Sequence, residues 1–291
     1  MSIQATDVNE AAPRRLGLVV HPTRRVDGAL DEIRAWASSH GVAVGQVMVP
    51  GQTRQLAEPV AVADCDLLVA LGGDGTTLRA LHAAAPSGRP VLGVACGSLG
   101  VLTSVGAGRI TWALEEFASG RWSPVTVPGL DVAWEEGSAE VAINDVTVMR
   151  DGPGQIVVSI TVDEVLYARV AGDGVVAATA LGSSAYTIAA GGPILAPGAE
   201  GMVVTPLAPH GGSCPPLVAG KASLVTLAIE PSHVPFRCEL DGRLAPVAGH
   251  LLKVGQRPDY ATMVELEGEE PRLTGLRRRG LVLDSPRVIA R

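Results

Sequence analysis

Leu71-Gly72-Gly73-Asp74-Gly75-Thr76 stands between an apolar run, Asp66-Leu67-Leu68-Val69-Ala70, and a stretch of helical texture, Thr77-Leu78-Arg79-Ala80-Leu81-His82-Ala83-Ala84. Strand, glycine turn and helix in that order place a ligand beyond the carboxyl end of a parallel strand, where the first N–H groups of the helix have no partner within it. Gly72, Gly73 and Gly75 let the backbone turn sharply and approach an anion without Cβ obstruction. A plain phosphate cradle gains nothing from Asp74, which repels the anion. The carboxylate makes sense if it binds a magnesium ion or accepts the proton of a hydroxyl that attacks phosphorus. The other reading is a helix N-cap, worth about 1 kcal/mol. The local residues leave both open.

Working outward, β-rich runs at 16–20, 42–49, 67–71 and 91–94 alternate with helical patterns at 29–38, 76–85 and 110–117. Such alternation predicts βαβ units around a parallel sheet, an α/β Rossmann-like domain over 16–123. After Pro124 the texture changes to strand upon strand, at 125–132, 140–149, 156–162, 165–170, 224–229 and 236–240. Residues 124–262 therefore read as a mostly antiparallel β domain. A hairpin is expected where 156–162 meets 165–170 through Asp163-Glu164. The tail, 263–291, is charged, with one apolar run at Leu281-Val282-Leu283.

The chain has 291 residues, 47% of them hydrophobic and 18% charged, enough for two packed cores. Its net charge of −7 argues against general binding to nucleic acid or an anionic membrane, so a phosphorylated ligand needs a local site. Cys65, Cys96, Cys214 and Cys238 form no CxxC pair and no metal-ligand spacing, which points to reduced thiols in a cytoplasm. Residues 1–15 lack an apolar core and read as a disordered leader, not a signal peptide. The apolar window 175–196 contains Gly182, Ser183, Ser184, Gly191, Gly192 and Pro193, and reads as buried loop and helix, not a membrane span.

A second cluster runs from Gly172-Asp173-Gly174 to Ser183-Ser184-Ala185-Tyr186. Thr179, Ser183, Ser184 and Tyr186 offer hydroxyls to ribose or phosphate, and Asp173 offers an acceptor; tight strand-to-helix packing is the competing explanation. Asn144-Asp145 interrupts an apolar strand as either a polar site needing partners or a bulge or turn. His210 lies between Pro209 and Gly211-Gly212, a ligand contact or an exposed loop histidine. Arg277-Arg278-Arg279 is a solvated face or pairs with acidic neighbours or a nucleotide phosphate. No GxxxxGK[ST] loop, GxSxG elbow, HExxH or kinase-type HRD or DFG is present.

In order along the chain these segments resemble the bacterial NAD kinases, which move a phosphoryl group from ATP or polyphosphate to the adenosine-ribose 2′-hydroxyl of NAD. Gly72-Gly73-Asp74-Gly75-Thr76 is similar to the family's GGDGT, and residues 90–102 to its PVLGINxGxLGFL. Asn144-Asp145 falls where the family has Asn-Glu. Residues 172–194 resemble GDG through STPTGSTAY to AGGPI, residues 205–210 the TPxxPH segment, and Asp241-Gly242-Arg243 a late DG(Q/R). The resemblance spans residues 16–286. It implies a Rossmann-like N-terminal domain, a C-terminal β-sandwich, a tail packed back toward the first domain, and a site in the cleft between domains.

The resemblance also implies roles. Asp74 is the expected general base or magnesium ligand, with Gly73, Gly75 and Thr76 beside it, and ATP the expected donor. Asn144 and Asp145 would hold the adenosine part, with Thr179, Ser183 and Ser184 nearby in the motif. Asp173, Ala185, Tyr186 and His210 would approach the nicotinamide-ribose half, partly across a subunit interface in a homodimer or homotetramer. Departures gather where substrate is recognised: Ala95 for the family's Asn, Val101 for its aromatic, Asp145 for Glu, and Pro209-His210-Gly211-Gly212-Ser213-Cys214-Pro215-Pro216 for PHSLSxRP. A stacked base is worth about 1–3 kcal/mol, so two alternatives stand beside an NAD kinase: a kinase for a polyol or another nucleoside, or a nucleotide sensor without turnover.

Overall fold

The computed structural model describes residues 12–98, 100–103, 105–137, 139–269 and 272–285. Most of the leader, Leu99 of the second motif and Pro286 lie outside them. Contacts between residues divide the chain into one unit holding the residues up to Val127 and those from Ala261, and another spanning Pro128–Tyr260.

In the first unit β1 (Arg15–Val20) leads through α1 (Asp27–His40) to β2 (Ala43–Gln46), and β3 (Leu67–Gly72) leads through α2 (Asp74–Ala84) to β4 (Pro90–Ala95). All four strands are parallel, in the order β4-β3-β1-β2. Leu30, Ile33 and Trp36 recur at helical spacing and give α1 its buried face, and Gly41 at φ 67° ends it in the left-handed conformation that glycine adopts freely. β5 (Val105–Gly106) joins β4, α3 (Ile110–Ala118) follows, and Thr262 and Met263 of a late strand, β17 (Leu251–Leu266), also pair with β4. The chain leaves β1 toward one edge of the sheet and β3 toward the other. That reversal opens a crevice at the carboxyl ends of β1 and β3, where α/β sheets bind ligands. Residues 21–25 and 73–76 lie there.

The second unit is antiparallel. β6 (Trp122–Trp134) pairs with β7 (Ala139–Ala142); β8 (Asp145–Arg150), β9 (Ile156–Val162), β10 (Val165–Gly172) and β11 (Gly174–Thr179) follow. After a four-residue helix, α4 (Tyr186–Ala189), come β12 (Met202–Leu207), β13 (Leu217–Ala219), β14 (Leu224–Ile229), β15 (Phe236–Leu240) and β16 (Arg243–Ala245). Among the described residues one layer runs β13-β12-β11-β8-β15-β16, and a second carries β10-β9-β14-β17. Val146, Val175 and Val204 of the first layer share one core with Val158, Leu227 and Val254 of the second, which makes the unit a β-sandwich. A short helix, α5 (Arg272–Arg278), belongs to the first unit.

The expected fold class holds: α/β, then antiparallel β. The hairpin turns at Asp163 and Glu164, whose φ of 49° and 68° suit a two-residue loop matched to strand twist. Elsewhere the structure corrects the reading. Residues 12–15 are not disordered leader: Pro13 is buried, and the N–H groups of Arg14 and Arg15 donate to Asp66 Oδ2 at 2.7 and 3.0 Å. The run 140–149 is two strands parted at Ile143-Asn144. Residues 174–179 are a central strand, not loop and helix, because a strand buried on both faces loses its polar alternation. Among the described residues no helix is long and apolar enough to cross a membrane.

Candidate active site

Gly73 occupies the cap position of α2 in an extended conformation, φ −151°, and Asp74 is the first helical residue. The N-cap alternative fails, since no side-chain cap bond forms. The Asp74 carboxylate turns instead to the loop after β4. Oδ2 accepts the N–H of Val101 at 3.0 Å and Oδ1 that of Leu102 at 2.9 Å. The N–H of Gly100 donates to Thr103 Oγ1 at 2.6 Å, so consecutive amides of this loop are all engaged.

Two glycines make room for this. A Cβ on Gly100 would lie 1.8 Å from Asp74 Oδ1, and one on Gly93 would lie 2.3 Å from the carbonyl oxygen of Leu102. The carboxylate is thus oriented by backbone amides of this loop. The Val101 contact to Asp74 is made by the backbone amide and is independent of the Val101 side chain. Arg279, just beyond α5, places Nη1 3.7 Å from Asp74 Oδ2 with both side chains partly exposed. Of the arginine run, Arg279 therefore meets the candidate catalytic acid, while Arg277 pairs with Asp284. Thr76 is buried and lies against Gly72, where a Cβ would sit 2.2 Å from its Oγ1, so Thr76 braces the turn.

In the second unit the decisive residue is one that sequence reasoning left outside the site. Asp241 Oδ1 accepts the N–H groups of Asn144 at 2.6 Å and Asp145 at 3.2 Å, and both carboxylate oxygens lie within 3.1 Å of the Ile143 nitrogen. Its own N–H donates to the carbonyl of Asp145 at 2.9 Å. The sequence marked Asp241 through the late Asp-Gly-Arg motif, a turn in which it adopts φ 50°. Gly182 closes the other side, because a Cβ there would lie 1.9 Å from the carbonyl oxygen of Asn144. Asp145 is buried at the start of β8, and burial, then the charges of Asp241 and Glu239, push its carboxyl up to about 7.

The hydroxyls of the second cluster serve the backbone. Thr179 Oγ1 donates to the carbonyl of Ile143 at 2.7 Å and accepts from Gly182 N–H at 3.1 Å. Ser183 Oγ donates to Ala180 at 2.6 Å and accepts from Leu195 N–H at 2.9 Å, and Ser184 Oγ donates to the carbonyl of Leu181 at 3.1 Å. Thr179 and Ser183 are fully buried. Thr179 thus braces the Ile143-Asn144 segment, and Ser183 ties Ala180 to Leu195.

Asp173 is held by Arg150, whose Nε donates to Oδ1 at 2.6 Å. His210 is exposed on a loop tied to the same stretch, its N–H donating to the carbonyl of Ala171 at 2.7 Å. Tyr186 starts α4 beside Ala185 and is partly exposed; burial, then the charges of Glu239 and Asp173, raise its phenol above the usual range. Asp145 and Asp173 thus both lie within electrostatic reach of Tyr186.

Two family models match in series: the ATP-NAD kinase N-terminal domain over residues 8–122 and the ATP-NAD kinase C-terminal domain over 143–254. The NAD kinase of Chloroflexus aurantiacus is 35% identical over 216 residues, 72% of this chain and 78% of that protein. The chain belongs to the NAD kinase family. The NAD kinase of Symbiobacterium thermophilum is 32% identical over 243 residues, 79% of this chain and 83% of that one.

Solved NAD kinase structures agree on the fold. A yeast NADH kinase complexed with NADH superposes with a TM-score of 0.79 at 22% identity, covering 95% of this chain and 90% of that one. An Archaeoglobus fulgidus NAD kinase in complex with ATP gives 0.77 at 23% identity, covering 93% and 100%. In this NAD kinase family member the GGDGT aspartate is the residue whose carboxylate the loop amides orient.

Proposed function

We propose that this chain is an ATP-dependent NAD kinase: it transfers the terminal phosphoryl group of ATP to the adenosine-ribose 2′-hydroxyl of NAD, giving NADP and ADP. The observation that carries the reading is the Asp74 carboxylate, fixed by the amides of Val101 and Leu102 at the carboxyl end of β3, in a chain of this family. The new bond joins the 2′-oxygen to phosphorus, and the bond between that phosphorus and the β-phosphate oxygen breaks. Each Asp74 oxygen spends one lone pair on an amide and keeps another, so the carboxylate can take the 2′-hydroxyl proton as the bond forms. Gly73, Gly75 and the open N–H groups of α2 accommodate the phosphates.

Among the described residues no group of three or more His, Cys, Asp or Glu is placed to hold a metal ion. One carboxylate suffices for magnesium, which binds through one or two carboxylates plus substrate phosphates and keeps its waters. Asp74 is the residue that fits it, and the cation would neutralise charge on the transferring phosphoryl. We assign the adenosine of NAD to Asn144 and Asp145, oriented by Asp241, and the nicotinamide-ribose half to Asp173, Ala185, Tyr186 and His210. The family resemblance supports a homodimer or homotetramer, and the free thiols of Cys65, Cys96, Cys214 and Cys238 support a reducing cytoplasm.

The test is incubation of purified protein with ATP, magnesium and a panel of NAD, NADH, nucleosides and polyols, with products read by mass spectrometry. Phosphorylated NAD as the main product is expected. A phosphorylated panel member other than NAD, with NAD untouched, would replace the reading with a kinase for that acceptor.

A further inference from the structure

The crevice at the ends of β1 and β3 has a second wall that the mechanism above does not use. It is the loop His21-Pro22-Thr23-Arg24. This loop is rigid by its own bonds: His21 Nδ1 accepts the N–H groups of Thr23 and Arg24 at 3.2 and 3.0 Å, and the Arg24 carbonyl accepts from Arg54 Nη1 at 2.5 Å. The imidazole that accepts both amides is kept below its usual pKa by burial and then by the charges of Arg24, Arg79 and Arg54. Three arginines thus raise the potential at this end of the sheet.

The Arg24 side chain is placed by absences. A Cβ on Gly73 would lie 3.3 Å from its Nη1, and a Cβ on Gly97 would lie 3.2 Å from the same atom. The guanidinium therefore lies against the backbone at the ends of β3 and β4, beside the residue that begins α2. It is exposed, and among the described residues no carboxylate pairs with it. Gly97 also lines an open cavity of about 530 Å³, walled further by Val26, Ala29, Ala95, Cys96 and Ala107, with Arg25 at its rim. That volume and small-residue lining suit a heterocyclic ring. The order along the surface is cavity, Arg24, Gly73, Asp74. A nucleoside triphosphate has the same order: base and ribose, then phosphates, then the reacting phosphorus.

We propose that Arg24 is the phosphate-positioning residue for the phosphoryl donor, and that the cavity beside it takes the donor's nucleoside end. This rests on the kinase reading above and assigns its donor side. A planar guanidinium binds phosphate oxygens in pairs, which fixes the direction of the chain as well as its charge. Held this way, the β- and γ-phosphates point toward Asp74.

The test uses the full chain and three probes: ATP, inorganic tripolyphosphate and adenosine, measured by calorimetry in magnesium, alongside steady-state kinetics. Arg24→Ala should raise the Kd of both ATP and tripolyphosphate about tenfold to a hundredfold, the range of a charge-assisted bond or two, with KM for NAD and affinity for adenosine unchanged. Arg24→Lys should recover part of the loss. Ala107→Leu, which fills the cavity, should weaken ATP and adenosine but not tripolyphosphate. Wild-type affinity for ATP in Arg24→Ala, or a change in KM for NAD alone, overturns the proposal; so does an Ala107→Leu variant that binds ATP normally. Wild-type protein that binds ATP but forms no phosphorylated NAD overturns the acceptor reading only, since the Arg24 comparison is still read in ATP affinity.

Discussion

Asp241 Oδ1 lies 2.6 Å from the backbone nitrogen of Asn144, and through that contact one turn of the chain holds the dipeptide assigned to adenosine. Replacing Asp241 with Ala leaves the N–H groups of Ile143, Asn144 and Asp145 without this acceptor. A buried donor left unpaired costs about 1–3 kcal/mol. Asp241→Ala should lower stability by at least that much in urea unfolding and raise KM for NAD, while KM for ATP stays put. Asp241→Asn keeps one oxygen and should fall between. A variant with wild-type KM for NAD would mean that the dipeptide does not meet the acceptor.

Gly100 faces Asp74 so closely that a Cβ would sit 1.8 Å from Oδ1. Gly100→Ala must therefore move either the loop or the carboxylate. A displacement on the scale of 1 Å can cost about a hundredfold in rate, so kcat is expected to drop by about that factor with ATP still bound. Unaltered kcat would show that the orientation of Asp74 by the loop is irrelevant to turnover.

Asp74→Asn retains one oxygen but turns an NH2 group toward one of the two amides of Val101 and Leu102. It loses both the proton acceptor and part of the cradle. General-base catalysis contributes roughly 10²- to 10⁴-fold, and kcat should fall within that range while unfolding changes little, because the carboxylate is partly exposed. Activity within a few-fold of wild type would leave the proton to water or to the phosphate itself.

What was legible in the sequence and what was not divides along physical lines. β3 and β4 announce themselves as short apolar runs closed by glycine, and the β9–β10 hairpin as two runs around a polar pair. β17 is invisible: Gly255 and Pro258 lie within it, and Gln256 to Tyr260 are not buried, so no alternation survives. Thr179 and Ser183 were read as ligand contacts because a hydroxyl in a glycine-rich stretch looks the same whether it faces a nucleotide or a backbone carbonyl; only burial separates the cases. Asp74 was legible as chemistry from its glycines, but its partners were not. They are backbone amides nearly thirty residues away, and a backbone amide has no letter of its own. Asp241 was likewise quoted as a motif and its purpose missed, since a carboxylate that binds main chain leaves no complementary residue to search for.

Asp145 yields a prediction about pH. Burial, with Asp241 and then Glu239 adding negative charge, lifts its carboxyl from the ordinary carboxylate range to about 7 in the folded chain. A group whose folded pKa is raised favours the folded state when protonated. Its contribution is fully present below about pH 4 and is lost as pH climbs through about 7. Above that the folded protein must bury a charge among like charges. Asp145→Asn is neutral throughout and nearly the same shape, so it removes this dependence. Wild type and variant should be closest in stability near pH 4, after subtraction of the common acid effects, and diverge in favour of the variant from there through about pH 7, with the gap constant above it. Urea midpoints measured across that range decide it: parallel curves would mean that Asp145 ionises in the folded chain as easily as in the unfolded one, and that Asp241 acts on its neighbours' amides alone.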